Sequence, residues 1–208
     1  MYIPEYHRIE DPAVTQNFLN ANPFGILVSS NDGVPFATHL PITTKIEGDR
    51  LTLLGHLAKA NPHWKLMENS RQTLAIFHGP HAYISPALYE IRETVPTWNY
   101  TAVHVYGVTT LFTETARLRE LLQQMIHTFE PTYLAHWNDL GETYRERMLH
   151  HIVGFEIAAT RIETKFKLSQ NRTKTEQANV IANLKASDDS VISQTGELMQ
   201  QLGLGVKK

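Results

Sequence analysis

Short apolar runs separated by turn residues dominate the first half of the chain. Residues 24–30 have strand composition, an Asn-Asp-Gly turn follows, and residues 34–43 resume an extended pattern, which predicts a β-hairpin. Residues 51–54 predict a third antiparallel strand. Two further short strands are predicted at residues 73–77 and 82–85, with a Gly-Pro pair as the break between them. The first half therefore predicts an antiparallel sheet.

The second half of the chain alternates strand-like and helical patterns. Residues 97–112 form the longest strand-like run, and Gly107 within it suggests a bulge or bend of the kind that a small barrel needs. Apolar residues then recur at helical spacing over residues 118–129, which predicts a helix packed on the sheet. Another helix is predicted at residues 144–151 and the last strand at residues 151–162. Many antiparallel strands with few helices between them favour a closed barrel, because closure removes exposed strand edges.

The carboxyl-terminal residues have a different pattern. Thr173 and Glu176 have the spacing of a helix capping box, and a narrow apolar stripe continues to a stop at Gly203. We therefore expect a helical tail that docks on the barrel or on a second subunit. The predicted fold class is mainly β, of the α+β type, with flanking helices outside the barrel.

Composition narrows the classes of function. The 208 residues contain 19 Lys and Arg against 21 Asp and Glu, so the chain has no global field that would attract nucleic acid or an anionic membrane. No helix-turn-helix or basic helix pattern is visible, so we do not expect direct DNA binding. The absence of cysteine excludes thiolate chemistry. No window of about twenty residues is continuously apolar, so we expect a soluble, cytoplasmic protein without a membrane span.

The turn after the third predicted strand carries the first candidate chemistry. The strand is expected to break at Gly55, and the turn then presents His56 and Lys59. Asn61, a good N-cap residue, and Pro62 follow and predict the start of a helix. A cation beside a helix N-terminus forms a small anion site of the kind that suits a phosphate. The alternative, equally compatible with the spacing, is a solvated lysine and an ordinary polar histidine.

A second candidate lies between the last predicted strand and the helical tail. The segment KFKLSQNR, residues 165–172, places three cations and two amides beside two apolar residues. It is either a solvated connector or a ligand-clamping arm. As an arm, its cations would neutralise a phosphate or an anionic ring, and its amides would pair with a carbonyl and imide edge.

Several longer motifs occur in a fixed order between residues 1 and 172. They are MYIPEYHRI, FATHLP, LLGHLAKANPHW, FHGPHAYISP, VPTWNY with AVHVYG, and finally VGFEI with KFKLSQNR. In this order they closely resemble the PaiB family of FMN-binding negative transcriptional regulators. The resemblance implies a split β-barrel related to the barrels of pyridoxamine phosphate oxidases and flavin reductases, with FMN in grooves of a homodimer. It divides the chain into an FMN-binding split-barrel domain, residues 1–172, and a C-terminal helical extension, residues 173–208.

The same resemblance implies a cofactor site drawn from three segments. The turn after the third strand would bind the FMN phosphate, the FATHLP segment would meet the isoalloxazine ring or the ribityl chain, and KFKLSQNR would contact the ring. The implied cofactor-binding residues are Thr38, His39, Leu40, His56, Lys59, Asn61, Lys167, Gln170 and Arg172. A cation near the N1 and C2 carbonyl edge of the ring, supplied by Lys167 or Arg172, would stabilise the reduced, anionic flavin.

Three classes of function stay open at this point. An FMN-dependent oxidoreductase would pass electrons from a reduced nicotinamide or another small-molecule substrate, whereas a flavin-holding regulator would use FMN as a ligand or sensor. The third class is a haem-binding or haem-degrading split barrel. Eleven histidines keep it open, since neutral imidazole binds both haem and metals. No histidine spacing typical of metal sites is present, so we expect FMN as the cofactor and no metal site.

Overall fold

A computed structural model of the chain describes residues 1–206, apart from the side chain of Asn31. The described residues divide into two units. Unit 1 comprises Met1–Phe18, His78–Val103 and residues 163–206, and unit 2 comprises Leu19–Phe77 and His104–Ile162. Segments that are distant in sequence therefore come together within each unit.

Seven strands form one antiparallel sheet in the described part of the chain. In chain order, the strands are β1 (Phe24–Asn31), β2 (Val34–Pro41), β3 (Thr43–Glu47), β4 (Arg50–Ala58), β5 (Thr73–Ile84), β6 (Thr97–Phe112) and β7 (Ile152–Lys167). Their order in the sheet is β2-β1-β5-β6-β7-β4-β3. The predicted hairpin is confirmed, since β1 and β2 pair antiparallel along their whole lengths.

Seven α-helices accompany the sheet within residues 1–206. They are α1 (Pro12–Ala21), α2 (His63–Asn69), α3 (Thr115–Phe129), α4 (Tyr133–Asp139), α5 (Glu142–Leu149), α6 (Lys174–Lys185) and α7 (Ser190–Gln201). The combination of sheet and helices confirms the predicted α+β class. None of the described helices is long and apolar enough to cross a membrane.

The longest predicted strand is confirmed at both ends as β6. Alternate residues from Asn99 to Val105 are buried, whereas Trp98 is exposed on the opposite face, as the period of a strand requires. Gly107 continues the buried face within the strand. A Cβ at this position would lie 2.4 Å from the carbonyl oxygen of Ala158, so this glycine allows β6 and β7 to approach closely.

Two predicted strand breaks are wrong. β4 runs on through Gly55 for three more residues, because this glycine makes room for the ring of Phe155 rather than a turn. A Cβ at Gly55 would lie 2.6 Å from that ring. β5 likewise runs through Gly79-Pro80 and joins the two predicted short strands into one. The residues of β5 that pair with β1 end at Ile76, so Pro80, which has no N–H to donate, lies beyond that ladder.

Two further elements differ from their predictions. β7 continues beyond the predicted end at residue 162 to Lys167, so the first three residues of KFKLSQNR belong to a strand. The pattern of the sequence does not predict α4, a helix of seven residues whose only buried side chain is Trp137. So short a helix has too few turns to produce a recognisable helical period.

The predicted amphipathic helix is confirmed as α3, which packs on the sheet in unit 2. The residues of this core are Leu54, Phe112, Leu118, Leu121, Met125 and Leu149. Burial of each large apolar side chain contributes about 1.5–3 kcal/mol, so this cluster attaches α3 and α5 to one face of β4. The same face of β4 carries the side chain of His56, two residues after Leu54.

The predicted capping box at the start of α6 is confirmed. Thr173 Oγ1 accepts a hydrogen bond from the N–H of Glu176, and Glu176 Oε2 accepts one from the N–H of Thr173, both at 3.2 Å. In α7, Met199 is fully buried and its Sδ lies 3.5 Å from Asn99 Nδ2 of β6. The helical tail therefore docks on its own chain within unit 1. The division into two domains at residue 172 stays a prediction.

Candidate functional site

A polar cluster in unit 2 joins β2 to the turn between β4 and α2. Asn61 Nδ2 donates a hydrogen bond to Thr38 Oγ1 at 3.2 Å, and His63 Nδ1 lies 2.8 Å from the same hydroxyl. We call these three residues the Thr38 cluster. It brings together two of the predicted site residues, Thr38 and Asn61, and adds His63, which the sequence analysis did not select.

The start of α2 lies close to its predicted position. Asn61 Oδ1 accepts a hydrogen bond from the N–H of His63, the first helical residue, at 3.0 Å, but the N-cap position falls on Pro62 and not on Asn61 as predicted. The helix itself begins at His63, one residue after the predicted start at Pro62. Because Asn61 already bonds this amide and α2 has only seven residues, the helix contributes little to an anion site.

The backbone of Lys59 is held on both sides, while its side chain is exposed. Its N–H donates to the carbonyl oxygen of His151 at 2.8 Å, and its carbonyl oxygen accepts a hydrogen bond from Trp64 Nε1 at 3.1 Å. No carboxylate within the described residues pairs with its ammonium group. The turn therefore presents a fixed, accessible cation next to the Thr38 cluster.

His63 is fully buried at the centre of the cluster. Its ring meets the edge of Phe36 with 5.1 Å between ring centroids. Burial lowers the pKa of His63 to about 4, because the charged imidazolium would lose its hydration there. Its Nε2 is buried and has no hydrogen-bond partner among the residues that the structure describes. His63 is therefore neutral at pH 7, with one ring nitrogen on Thr38 and the other unsatisfied.

The buried neutral state of His63 predicts a pH-dependent stability. Its pKa is lower in the folded protein than the ordinary 6.5, so between pH 6.5 and about 4 the unfolded chain binds more protons. The free energy of unfolding should therefore fall as the pH drops through this window, with a slope that approaches about 1.4 kcal/mol per pH unit from this group. Urea unfolding at a series of pH values measures the slope.

The matched variants for this measurement are His63→Gln and His150→Gln. Burial also lowers the pKa of His7 and His56, so only the difference in slope between wild type and His63→Gln reports His63. His150 is exposed, and its replacement should leave the slope as it is. A slope that is the same in wild type and His63→Gln would contradict the buried neutral state.

The other predicted residues on β2 face different surroundings. His39 is exposed, whereas Leu40 is buried with 6% of its surface accessible. Alternation along the strand puts these neighbours on opposite faces. His39 can therefore offer its imidazole to a ligand, while Leu40 can offer only its backbone.

His56 is not a member of the Thr38 cluster, and its side chain has different neighbours. Its side chain lines a cavity formed with α3 and α4, on the face of β4 that carries Leu54. Burial lowers the pKa of His56, and its Nδ1 has no partner within residues 1–206. The longer course of β4 explains this placement, because His56 is a strand residue with a defined face rather than the first residue of a turn.

The three predicted residues of KFKLSQNR lie in unit 1 and make contacts there. Lys167 Nζ donates to Thr97 Oγ1 and, at 2.7 Å, to the carbonyl oxygen of Trp98. Burial, and then the charge of Lys165, lower the pKa of Lys167. These two bonds leave one of the three ammonium donors of Lys167 for a ligand.

Gln170 and Arg172 are also engaged within unit 1. Gln170 Oε1 accepts a hydrogen bond from the N–H of Leu168 at 2.7 Å and lies 2.9 Å from His7 Nδ1. The guanidinium carbon of Arg172 lies 3.9 Å from the ring centroid of Tyr89. Both side chains thus shape the segment, and a cofactor would have to share them with these partners.

Gln177 of α6 holds the turn that follows β7, a role that the sequence analysis missed. Its buried Nε2 donates to the carbonyl oxygens of Ser169 and Arg172, both at 3.1 Å. Ser169 has a φ of 61°, a conformation that an L-residue keeps only when its surroundings fix it. The tail helix therefore positions the end of KFKLSQNR. A buried amide in the first turn of the next helix carries no local signal of this role.

Solved structures of other proteins share the fold of this chain. The flavocytochrome Anf3 from Azotobacter vinelandii superposes with a TM-score of 0.59 at 18% identity, covering 79% of this chain and 72% of that one. The FAD and heme binding protein from Mycobacterium smegmatis gives 0.59 at 14% identity, covering 77% and 73%. The predicted split-barrel fold is thus confirmed.

The family follows from the sequence comparisons. The family model described as "Putative FMN-binding domain" matches residues 1–161. Protease synthase and sporulation protein PAI 2 from Bacillus subtilis (strain 168) is 40% identical over 205 residues, which cover 96% of this chain and 97% of that protein. The chain therefore belongs to this FMN-binding family, and the resemblance to the PaiB family is confirmed. FMN is the cofactor of the family, as predicted.

Proposed function

We propose that the chain is a flavin-dependent redox protein that binds the FMN phosphate at the turn of residues 59–61. The observation that carries the proposal is the Thr38 cluster, which fixes this turn through hydrogen bonds while Lys59 keeps an exposed ammonium group. A turn that is already ordered loses little conformational entropy when the ligand arrives.

The donors around the turn suit a phosphate. The group carries about two negative charges and strong acceptor oxygens, so it needs a cation and hydrogen-bond donors. Lys59 supplies the cation, and the hydroxyl of Thr38 and the amide of Asn61 supply polar contacts from residues that hold each other in place. His39, exposed on the adjacent strand, and the backbone at Leu40 would contact the ribityl chain or the ring.

We also propose that three residues of KFKLSQNR contact the flavin ring. Lys167 retains one ammonium donor, and Arg172 is a second cation in the same segment. Gln170 keeps one amide N–H after its bond to the carbonyl oxygen of Phe166. When bound, FMN supplies the electron-accepting centre, and a nearby cation favours its reduced, negatively charged form.

We also propose that the protein acts as a homodimer. A row of aromatic rings lies on one surface of unit 1, with 6.1–6.2 Å between the centroids of successive pairs from His78 through His81 and Trp98 to Tyr83. Tyr83 and Trp98 are 51% and 52% exposed. Rings of this size and exposure favour burial against a second copy of the chain.

Sedimentation of the purified protein, recorded at the visible band of flavin, tests cofactor and assembly together. We expect a flavin spectrum that sediments with twice the chain mass of 23.7 kDa. A haem spectrum, or no flavin uptake after FMN is added, would overturn FMN binding. A flavin band that sediments with the mass of one chain would overturn the dimer.

The same sample tests the redox role. Under anaerobic conditions, NADH or NADPH should bleach the flavin band, since a reduced nicotinamide is the proposed electron donor. A band that persists with both nicotinamides but bleaches with dithionite would instead favour a flavin-holding regulator.

A further inference from the structure

The direction of each hydrogen bond in the Thr38 cluster follows from the atoms that take part in it. The backbone N–H of His63 can only donate, so the Asn61 atom that lies 3.0 Å from it is the carbonyl oxygen Oδ1. The other amide atom of Asn61 is therefore Nδ2, which can only donate, and it lies 3.2 Å from Thr38 Oγ1. The Thr38 hydroxyl accepts this bond, and its own proton is not used in it.

The second partner of the Thr38 hydroxyl is the imidazole of His63. Nδ1 lies 2.8 Å from Thr38 Oγ1, and a neutral ring carries its single proton on either Nδ1 or Nε2. Nε2 is buried without a hydrogen-bond partner among the described residues. Buried N–H groups without an acceptor are rarer in proteins than buried acceptors without a donor. The proton therefore belongs on Nδ1, which donates it to Thr38, and Nε2 keeps a bare lone pair.

With this tautomer, the Thr38 hydroxyl accepts two hydrogen bonds and still holds its own proton. Within the part of the chain that the structure describes, the hydroxyl makes no other hydrogen bond. Cβ and the two donors occupy three directions around the oxygen, so the proton takes the fourth. Thr38 is only partly buried, and its neighbours Ala37 and His39 are exposed. The proton is therefore available to an acceptor from outside the cluster.

We infer that His63 is a positioning residue, which fixes the Thr38 hydroxyl as a hydrogen-bond donor to the phosphate of FMN. The inference rests on the proposed function, because it assigns a direction to one contact of the proposed phosphate site. A phosphate dianion has strong acceptor oxygens and no proton to donate, so it matches a hydroxyl whose accepting positions are filled. His63 contacts this hydroxyl and not the ligand.

Two-bond proton–nitrogen correlation spectra of the full chain at pH 7, recorded with and without FMN, test the tautomer of His63. These spectra distinguish a protonated ring nitrogen from a bare one, and the signals lost in His63→Gln identify His63 among the eleven histidines. We expect a protonated Nδ1 and a bare Nε2 in both samples. A protonated Nε2 would overturn the inference, because Thr38 would then donate its proton to Nδ1.

Affinities for FMN and riboflavin test the hydroxyl. Thr38→Val removes the donor and should weaken FMN binding about tenfold, with riboflavin binding changed less than about twofold. Thr38→Ser keeps a hydroxyl and should retain most of the FMN affinity. Thr44→Val is the matched control, since Thr44 is also partly buried and its hydroxyl donates to Asn20 Oδ1 at 2.8 Å. This control should change neither affinity.

The indole signal of Trp64 reports whether the turn keeps its shape in Thr38→Val, because this N–H donates to the carbonyl oxygen of Lys59. We expect the signal to stay in place while the FMN affinity falls. A fall that occurs together with a large shift of this signal would assign Thr38 to holding the turn and overturn its role as a donor.

The variants also separate this inference from the proposed function. If Lys59→Ala weakens FMN binding selectively and Thr38→Val does not, the phosphate binds at the turn without the hydroxyl, and only the inference is overturned. If neither substitution changes the preference for FMN over riboflavin, the proposed phosphate site is itself wrong.

Discussion

Replacement of Lys59 by alanine is expected to weaken FMN binding about thirty- to a hundredfold. The side chain is the exposed cation of the turn that the Thr38 cluster fixes, and a hydrogen bond to a charged group contributes about 2–3 kcal/mol. Riboflavin lacks the phosphate, so its weaker binding should hardly change in the same variant. Titration of both ligands by flavin fluorescence measures the two affinities.

Two further variants test whether position and charge both matter. Lys65→Ala removes another exposed lysine of the same region, whose ammonium lies 5.4 Å from the ring centroid of Trp64, and should leave FMN affinity nearly unchanged. Lys59→Arg should retain much of the affinity, unless the turn requires the more compact ammonium. An unchanged FMN affinity in Lys59→Ala would move the phosphate away from this turn, most simply to the cations of residues 165–172.

Local sequence predicts the elements of this fold better than their ends. β6 is predicted to the residue because its alternation is long, and the capping box of Thr173 and Glu176 is a local motif with local partners. Gly55 shows where local reasoning fails. A glycine between apolar residues suggests a break, but here it makes room for Phe155, which lies a hundred residues further along the chain.

The candidate site shows the same division between local and distant causes. The turn with Lys59 and Asn61 and its link to a helix are readable from spacing alone. The role of His63 cannot be predicted in this way, because this helix residue contacts Phe36 and Thr38 of β2, a strand more than twenty residues earlier in the chain. The predicted position of His56 was wrong because β4 is longer than predicted. His56 lies inside this strand, where its side chain has a defined face, and not in the turn that follows.

Gly107→Ala is expected to destabilise the protein by about 3 kcal/mol. The added Cβ would lie 2.4 Å from the carbonyl oxygen of Ala158 and 2.5 Å from Cγ2 of Ile157. The first contact is with backbone in the paired strand β7, so it cannot be relieved by a side-chain rotation, and relief requires the strands to separate. Urea unfolding, followed by circular dichroism, measures the loss from the shift of the midpoint at constant slope.

Gly141→Ala provides the matched control for this substitution. A Cβ at Gly141 would meet no atom of the described residues within 4 Å, and its φ of −56° is open to alanine. Gly141 is the N-cap of α5, where alanine is less favourable than glycine, so a loss of up to about 1 kcal/mol is expected. If Gly107→Ala loses no more than this control, β6 and β7 are not held as closely at Gly107 as 2.4 Å implies. A loss several times larger in Gly107→Ala, with the slope unchanged, identifies the close approach of the two strands as the reason for glycine at this position.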